Sequence, residues 1–470
     1  MVFSSPLFLG LFLPVLLVAY LMVPQARRNF VLLAGSLFFY AWGEPRAIVV
    51  MLALIGVNHV VAQGIAAAHG RGDAARARRL LALGLALDLG ALAVLKYLSF
   101  LIVNLNRLPG VAIPDPAIPL PIGISFYVFQ ILSYLIDVHR RETRTAGSLS
   151  EFALYVSLFP QLIAGPIVRY TTIRDEMKDR RWIPDNVFSG LQRFASGLAK
   201  KVLLADTFAL VADTVFKSPA AEIPCAFAWI GVAAYALQIF YDFSGYSDMA
   251  IGLGRVFNFH FLENFDHPYC ATSIREFWRR WHISLSTWFR DYLYIPLGGN
   301  RVSFARTCLN QAIVFFLCGL WHGADWNFVV WGLLHGLGLS AERLLLRSKR
   351  LAALRIPPIL GNLYVWLFVL VGWVFFRSPS LDYALAFLKV MFAGNASHTF
   401  FSFWPALGFY HHGLLVAGAI GLVLCYPALP VRVARLERRP AGAALSLAVF
   451  LVAYAFAMTS HYSPFIYFRF

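Results

Sequence analysis

An all-α polytopic membrane protein is the fold class this sequence predicts, on three observations. Hydrophobic residues make up 59% of the 470 and charged residues 14%, with a mean hydropathy of +0.66. Apolar runs of about 20 residues, each able to cross a hydrocarbon core of about 30 Å, recur along the whole length. The runs are continuous rather than alternating, which excludes a membrane β-barrel along with an ordinary soluble protein. The formal charge of +16 sits mainly in Arg-rich connectors. Between membrane spans, that pattern reports topology rather than nucleic-acid binding.

The elements follow in order. A first helix is predicted over residues 6–23, retained because it lacks a basic leader and a small-residue cleavage site. It ends at Arg27-Arg28. A second helix, 29–42, returns; Gly43-Glu44-Pro45 turns the chain; a third covers 47–67. The connector Arg71–Arg79 precedes a long run over 80–105, a Pro-rich loop and a helix over 122–138 that stops at His139-Arg140-Arg141. Basic connectors after the first, third and fifth helices place those connectors in the cytoplasm and the N-terminus outside.

Residues 152–167 are apolar but interrupted by Pro160 and Gly165-Pro166, which predicts a re-entrant segment shielded by protein. The charged stretch 169–186 reads as cytosolic. Residues 187–216, carrying Arg193, Lys200 and Lys201, read as an interfacial or half-buried helix. A clear span over 226–243 runs into Phe243-Ser244-Gly245-Tyr246-Ser247, read as a turn bracketed by Asp242 and Asp248. Carboxylates beside apolar spans are costly, so each predicts a partner, an Arg or a His. From 273 to 294, basic and aromatic residues interleave at helical spacing, as in one amphipathic helix with its Trp side chains at the interface. Spans return at 308–321, 326–346, 358–376, 412–429 and 443–460, with a last basic connector at Arg432–Arg439. One integral unit, residues 1–470, with roughly ten to thirteen membrane segments is expected. The five cysteines show no paired spacing, so neither a disulfide framework nor a metal knuckle is indicated.

The chemistry centres on histidine. His322 lies in Gly319-Leu320-Trp321-His322-Gly323, between two apolar runs flanked by Arg301–Arg306 and Arg343–Arg350. If both basic clusters stay in the cytoplasm, His322 sits near the turn of a hairpin pointing away from it. The run 308–321 is short, about 21 Å as a helix, which predicts His322 at the floor of a cavity. Acyl transfer to a hydroxyl needs a general base, and an imidazole of pKa about 6.5 suits that role. The competing reading is a structural histidine satisfied by backbone carbonyls. His282, in Trp278-Arg279-Arg280-Trp281-His282, is a second candidate, open between a ring facing a channel mouth and one contacting headgroups. His335 reads as packing or orienting. No HExxH, CxxC pair, Walker lysine or GxSxG elbow is present, so hydrolase, ATPase and zinc chemistry lack residues to carry them.

Several blocks together resemble one family. Met1-Val2-Phe3-Ser4-Ser5, Gln238–Asp248, Glu263-Asn264-Phe265, Phe277–Ser286, Arg290-Asp291-Tyr292, Gly319–His322 and Pro464–Phe468 are similar to the membrane-bound O-acyltransferase (MBOAT) superfamily, in its bacterial branch concerned with alginate O-acetylation. The resemblance spans nearly the whole chain, and the two His-containing blocks are its most specific part. It implies a ring of helices around a central tunnel that runs from a cytosolic donor side to an outward funnel. It implies His322 as the essential histidine, His282 as a second one, and acetyl-CoA as the acyl donor. Transfer would go to an exported polysaccharide, alginate first, often through a periplasmic SGNH-type partner, at the bacterial inner membrane. Arg279, Arg280 and Arg290 have two readings, attraction of an anionic donor or anchoring to headgroups. Peptidoglycan, cellulose and teichoic acid remain alternative acceptors. A polysaccharide transporter also accommodates an intramembrane His, but no duplicated halves of the kind many transporters carry are visible.

Overall fold

The computed structural model describes residues 1–179, 181–348, 356–394, 411–426, 440–459 and residue 465. Among these the ordered elements are helices, and no strand occurs. Seven helices are long and apolar enough to cross a membrane, joined by a shorter apolar one over Phe8–Met22. The connector Arg432–Arg439, parts of the spans expected over 412–429 and 443–460, and most of the C-terminal block 464–468 lie outside the described residues. The chain packs as two compact units, Met1–Phe194 with Ser247–Leu262, and Ala195–Tyr246 with Glu263–Phe470.

The first unit contains α1 (Leu13–Met22), α2 (Arg28–Gly43), α3 (Ala47–Gly70), α4 (Ala74–Leu92), α5 (Leu98–Leu105), α6 (Ile124–Arg140), α7 (Leu149–Ser157), α8 (Phe159–Leu162), α9 (Tyr170–Ile173) and most of α10 (Pro184–Ala199). Its core is α6, whose residues 124–135 are all buried. The connector read as Arg71–Arg79 is mostly helix. Only Arg71 to Asp73 turn, with Gly72 at φ +71, and Asp73 caps α4 by accepting from Arg76 N at 2.8 Å. The segment around Pro160 is two short buried helices broken at Leu158, as the proline and its apolar neighbours predict. The Ser36 hydroxyl accepts from the freed amide of Phe159 at 3.1 Å. Asp248 is held by Arg193 at 2.7 Å, the kind of partner its position predicts.

The second unit contains α11 (Asp206–Lys217), the first part of α12 (Cys225–Val256), α13 (Ile274–Arg280), α14 (Ile283–Phe289), α15 (Phe304–His322), α16 (Trp326–Leu345), α17 (Pro358–Arg377), α18 (Leu381–Ala393), α19 (His411–Leu424) and α20 (Pro440–Thr459). Four expectations are corrected here. The Phe243–Ser247 stretch is not a turn: α12 runs straight through it, because Gly245 lets the backbone of Gly197 approach closely. Residues 273–294 do not form one helix but α13, α14 and a π-helical turn, Arg290–Tyr294. Their Trp278, Trp281 and Trp288 are buried rather than interfacial. The run before His322 is not short, since α15 has 19 residues, about 28 Å. Asp242 has a lysine as an ion-pair partner where an Arg or a His was expected. Lys201, buried in the π-helical segment Lys200–Ala205, takes both Asp242 and Asp206 at 2.8 Å. Burial opposes the Lys201 charge, but the two carboxylates outweigh it and hold the ammonium above its ordinary range. Helix α18 was not anticipated from the sequence.

Candidate active site

The site lies in the second unit and is built on the α15–α16 hairpin. Ser303 caps α15 by accepting from Arg306 N, and Asp325 caps α16 by accepting from Asn327 N. The two helices touch backbone to backbone. A Cβ at Gly319 would overlap the carbonyl of Phe328, and one at Gly332 the carbonyl of Phe315. His322 is the last residue of α15, 4% exposed. It is therefore at the hairpin turn, as expected, but aromatic rings bury it rather than a short helix. Trp331 and Phe376 stand edge-on to the imidazole with centroids 5.0 and 5.1 Å away, and Trp321 packs at 4.9 Å.

His282 occupies the break between α13 and α14, with φ +45. That left-handed conformation is costly for a residue that carries a Cβ, so the surroundings must enforce it. They do so at both ends. Glu342 of α16 accepts from the first amides of α13, Ile274 N at 2.6 Å and Arg275 N at 3.1 Å. Beyond the break, Asn264 O accepts from Ile283 N at 2.9 Å. The His282 ring is fully buried, edge-on to Phe243 at 4.6 Å.

The Asn264 side chain fixes the proton on this ring. Its Oδ1 accepts from Ser284 N at 3.2 Å, and a backbone amide can only donate, so the amide orientation is settled. The same oxygen lies 3.1 Å from His282 Nδ1 and 2.9 Å from the Ser284 hydroxyl. Nδ1 must therefore donate, which leaves Nε2 as the basic nitrogen of a neutral ring. Burial also lowers the His282 pKa to about 3, so the ring is uncharged at neutral pH.

The structure brings the two sequence-identified histidines together, with ring centroids 6.5 Å apart at 61°. His335, read as packing or orienting, is buried, and its Nδ1 accepts from Trp278 Nε1 at 3.1 Å, tying α13 to α16. The three arginines differ. Arg280 is engaged by Glu276 at 3.0 Å and Asp266 at 3.4 Å, and Arg290 by Asp291 at 2.6 Å. Arg279 is exposed. Among the described residues no three His, Cys, Asp or Glu side chains gather as a metal site would require. The residue sequence reasoning missed is Asn264. It was visible as a lone amide between Glu263 and Phe265, but nothing local tied it to His282, 18 positions away. Two adjoining imidazoles among aromatic rings, one of them with its tautomer fixed, can take a hydroxyl proton during attack on an acyl carbon.

Comparison with known proteins agrees with this chemistry. The profile described as "MBOAT, membrane-bound O-acyltransferase family" matches residues 90–384. The "Probable alginate O-acetylase AlgI" of Azotobacter vinelandii is 44% identical over 397 residues, 84% of this chain and 78% of that protein. The "Peptidoglycan O-acetyltransferase" of Helicobacter pylori is 38% identical over 427 residues, 84% of this chain and 80% of that protein. The "Teichoic acid D-alanyltransferase" of Streptococcus thermophilus is 29% identical over 242 residues, 49% of this chain and 58% of that protein. With its seven membrane-length helices, a family match over more than half its length and relatives this similar, the chain is a multi-pass membrane O-acyltransferase and belongs to the MBOAT family.

Proposed function

We propose that this protein O-acetylates an exported polysaccharide, alginate first, at the bacterial inner membrane, using cytosolic acetyl-CoA as donor. The observation that carries the reading is the pair of buried imidazoles 6.5 Å apart, one of them clamped by Asn264. The similarity to alginate O-acetylases over most of both chains supports the acceptor. His322 acts as general base on the acceptor hydroxyl, and His282, neutral with Nε2 basic, assists beside the donor thioester. Of the three arginines, Arg279 is exposed and available to attract an anionic donor, while carboxylates already offset the charges of Arg280 and of the equally exposed Arg290. The acetyl group is passed on through a periplasmic SGNH-type partner.

A second reading, peptidoglycan as acceptor, is favoured by the 38% identity to a peptidoglycan O-acetyltransferase. Mass spectrometry of surface polymers from a deletion strain, complemented with wild type or His322→Ala, separates the two. Ester loss from alginate that wild type restores and His322→Ala does not is expected. Loss confined to peptidoglycan replaces the acceptor, and no ester loss in any polymer ends the reading.

A further inference from the structure

Trp331 lies between two imidazoles, its ring centroid 5.0 Å from that of His322 and 5.0 Å from that of His335. It is 1% exposed, and its Nε1–H meets no acceptor among the described residues. An indole N–H can only donate, and burying a donor without an acceptor is unfavourable unless something arrives to take it. His335 supplies a second donor. Because its Nδ1 accepts from Trp278 Nε1, that nitrogen carries no proton, and Nε2 must carry one.

Both nitrogens lie beside Gly372 of α17. A Cβ built there would stand 3.2 Å from His335 Nε2 and 3.6 Å from Trp331 Nε1, with no other atom nearer than 3.2 Å. A glycine at residue 372 thus keeps a side chain from pressing on these two donors. Preorganised donors of this kind, among the packed rings of Phe376, Trp373 and Trp331, stabilise negative charge developing on a carbonyl oxygen.

We propose that Trp331 Nε1–H and His335 Nε2–H form the oxyanion hole for the thioester carbonyl, a role that rests on the acyl-transfer reading above. The acceptor hydroxyl oxygen bonds to the carbonyl carbon while its proton passes to His322. The C=O π pair moves onto oxygen, and the two N–H groups hold the resulting alkoxide. The alkoxide then collapses, the C–S bond breaks with its pair on sulfur, and His322 returns the proton to give a free thiol beside the new ester.

The test uses membrane vesicles with periplasmic contents retained, carrying equal amounts of wild type, Trp331→Phe, Gly372→Ala or the double variant, and supplied with radiolabelled acetyl-CoA. Trp331→Phe keeps an aromatic ring and removes the N–H, while Gly372→Ala sets a methyl against both donors without changing either. Each single variant is expected to lower kcat about 10²–10³-fold with the KM for acetyl-CoA little changed. The double variant should be about as slow as the slower single one, because both remove the same contact. A merely structural role would instead lower the unfolding temperature and leave the kcat of the folded protein alone. Trp331→Phe turning over at the wild-type kcat overturns the oxyanion hole while wild-type turnover keeps the acyl-transfer reading. Wild-type vesicles that transfer no acetyl group overturn both.

Discussion

Replacing Asn264 with leucine probes the clamp on His282 most sharply. The substitution removes one oxygen that serves His282 Nδ1, Ser284 N and the Ser284 hydroxyl. The hydroxyl can turn to His282 Nδ1, 3.4 Å away, so the Ser284 amide is the donor certain to be stranded. A buried unsatisfied donor costs about 1–3 kcal/mol, and as much again if the longer contact fails to hold His282. The ring also becomes free to exchange tautomers. If about 1–2 kcal/mol of orientation is lost in the transition state, transfer slows about five- to thirtyfold. Asn264→Asp is the control, since a carboxylate accepts from the same three donors. Its charge favours the protonated imidazole, so the rising limb of the pH–rate profile should move to higher pH. Thermal unfolding in nanodiscs and acetyl transfer in membrane vesicles read both effects. Asn264→Leu that unfolds and turns over like wild type would refute the clamp.

Other outcomes follow from the same contacts. Gly332→Ala pushes a methyl into the Phe315 carbonyl, and overpacking of this kind should destabilise the protein by about 1–3 kcal/mol, visible as a lower unfolding temperature; an unchanged one would mean the hairpin can open without cost. Lys201→Met removes the ammonium that Asp206 and Asp242 share and should cost about 3–5 kcal/mol, so the variant accumulates poorly, and adding Asp242→Leu should restore part of the yield. Because burial holds the His282 pKa near 3 in the folded protein, below its ordinary value, the unfolded state binds the extra proton at intermediate pH. Its contribution to stability is complete above about pH 6.5 and is lost progressively as pH falls toward 3; His282→Gln should flatten that decline in an unfolding titration. Reporter fusions within Arg71–Arg79 should report the cytoplasm, and a periplasmic signal would reverse the topology.

The spans were legible because lipid demands long apolar runs, and the caps and turns between them are local. The broken segment at Pro160 and the buried pair at Asp248 were legible for the same reason: each conflicts with its surroundings in a way a single window of sequence exposes. Other features depend on contacts distant in sequence. Nothing in Trp278–Ser286 signals a break at His282, since its periodicity suits a continuous helix; Asn264 and Glu342 impose the break from elsewhere. Helix α15 was cut short at Cys308 because Arg306 lowers the hydropathy of its first turn, although Ser303 marks the true start. Helix α18 was overlooked because, at 13 residues with Asp382 and Lys389, it is neither long nor apolar enough to read as a span. His322 was found from its motif, while the rings that bury it come from α16 and α17 and could be placed only in three dimensions.

The most direct measurement is the rate of acetyl transfer from acetyl-CoA by wild type and His322→Ala at matched abundance, with unfolding temperatures recorded alongside. Background turnover by a variant that unfolds like wild type is the result expected if this imidazole takes the hydroxyl proton. Wild-type turnover by His322→Ala would contradict it.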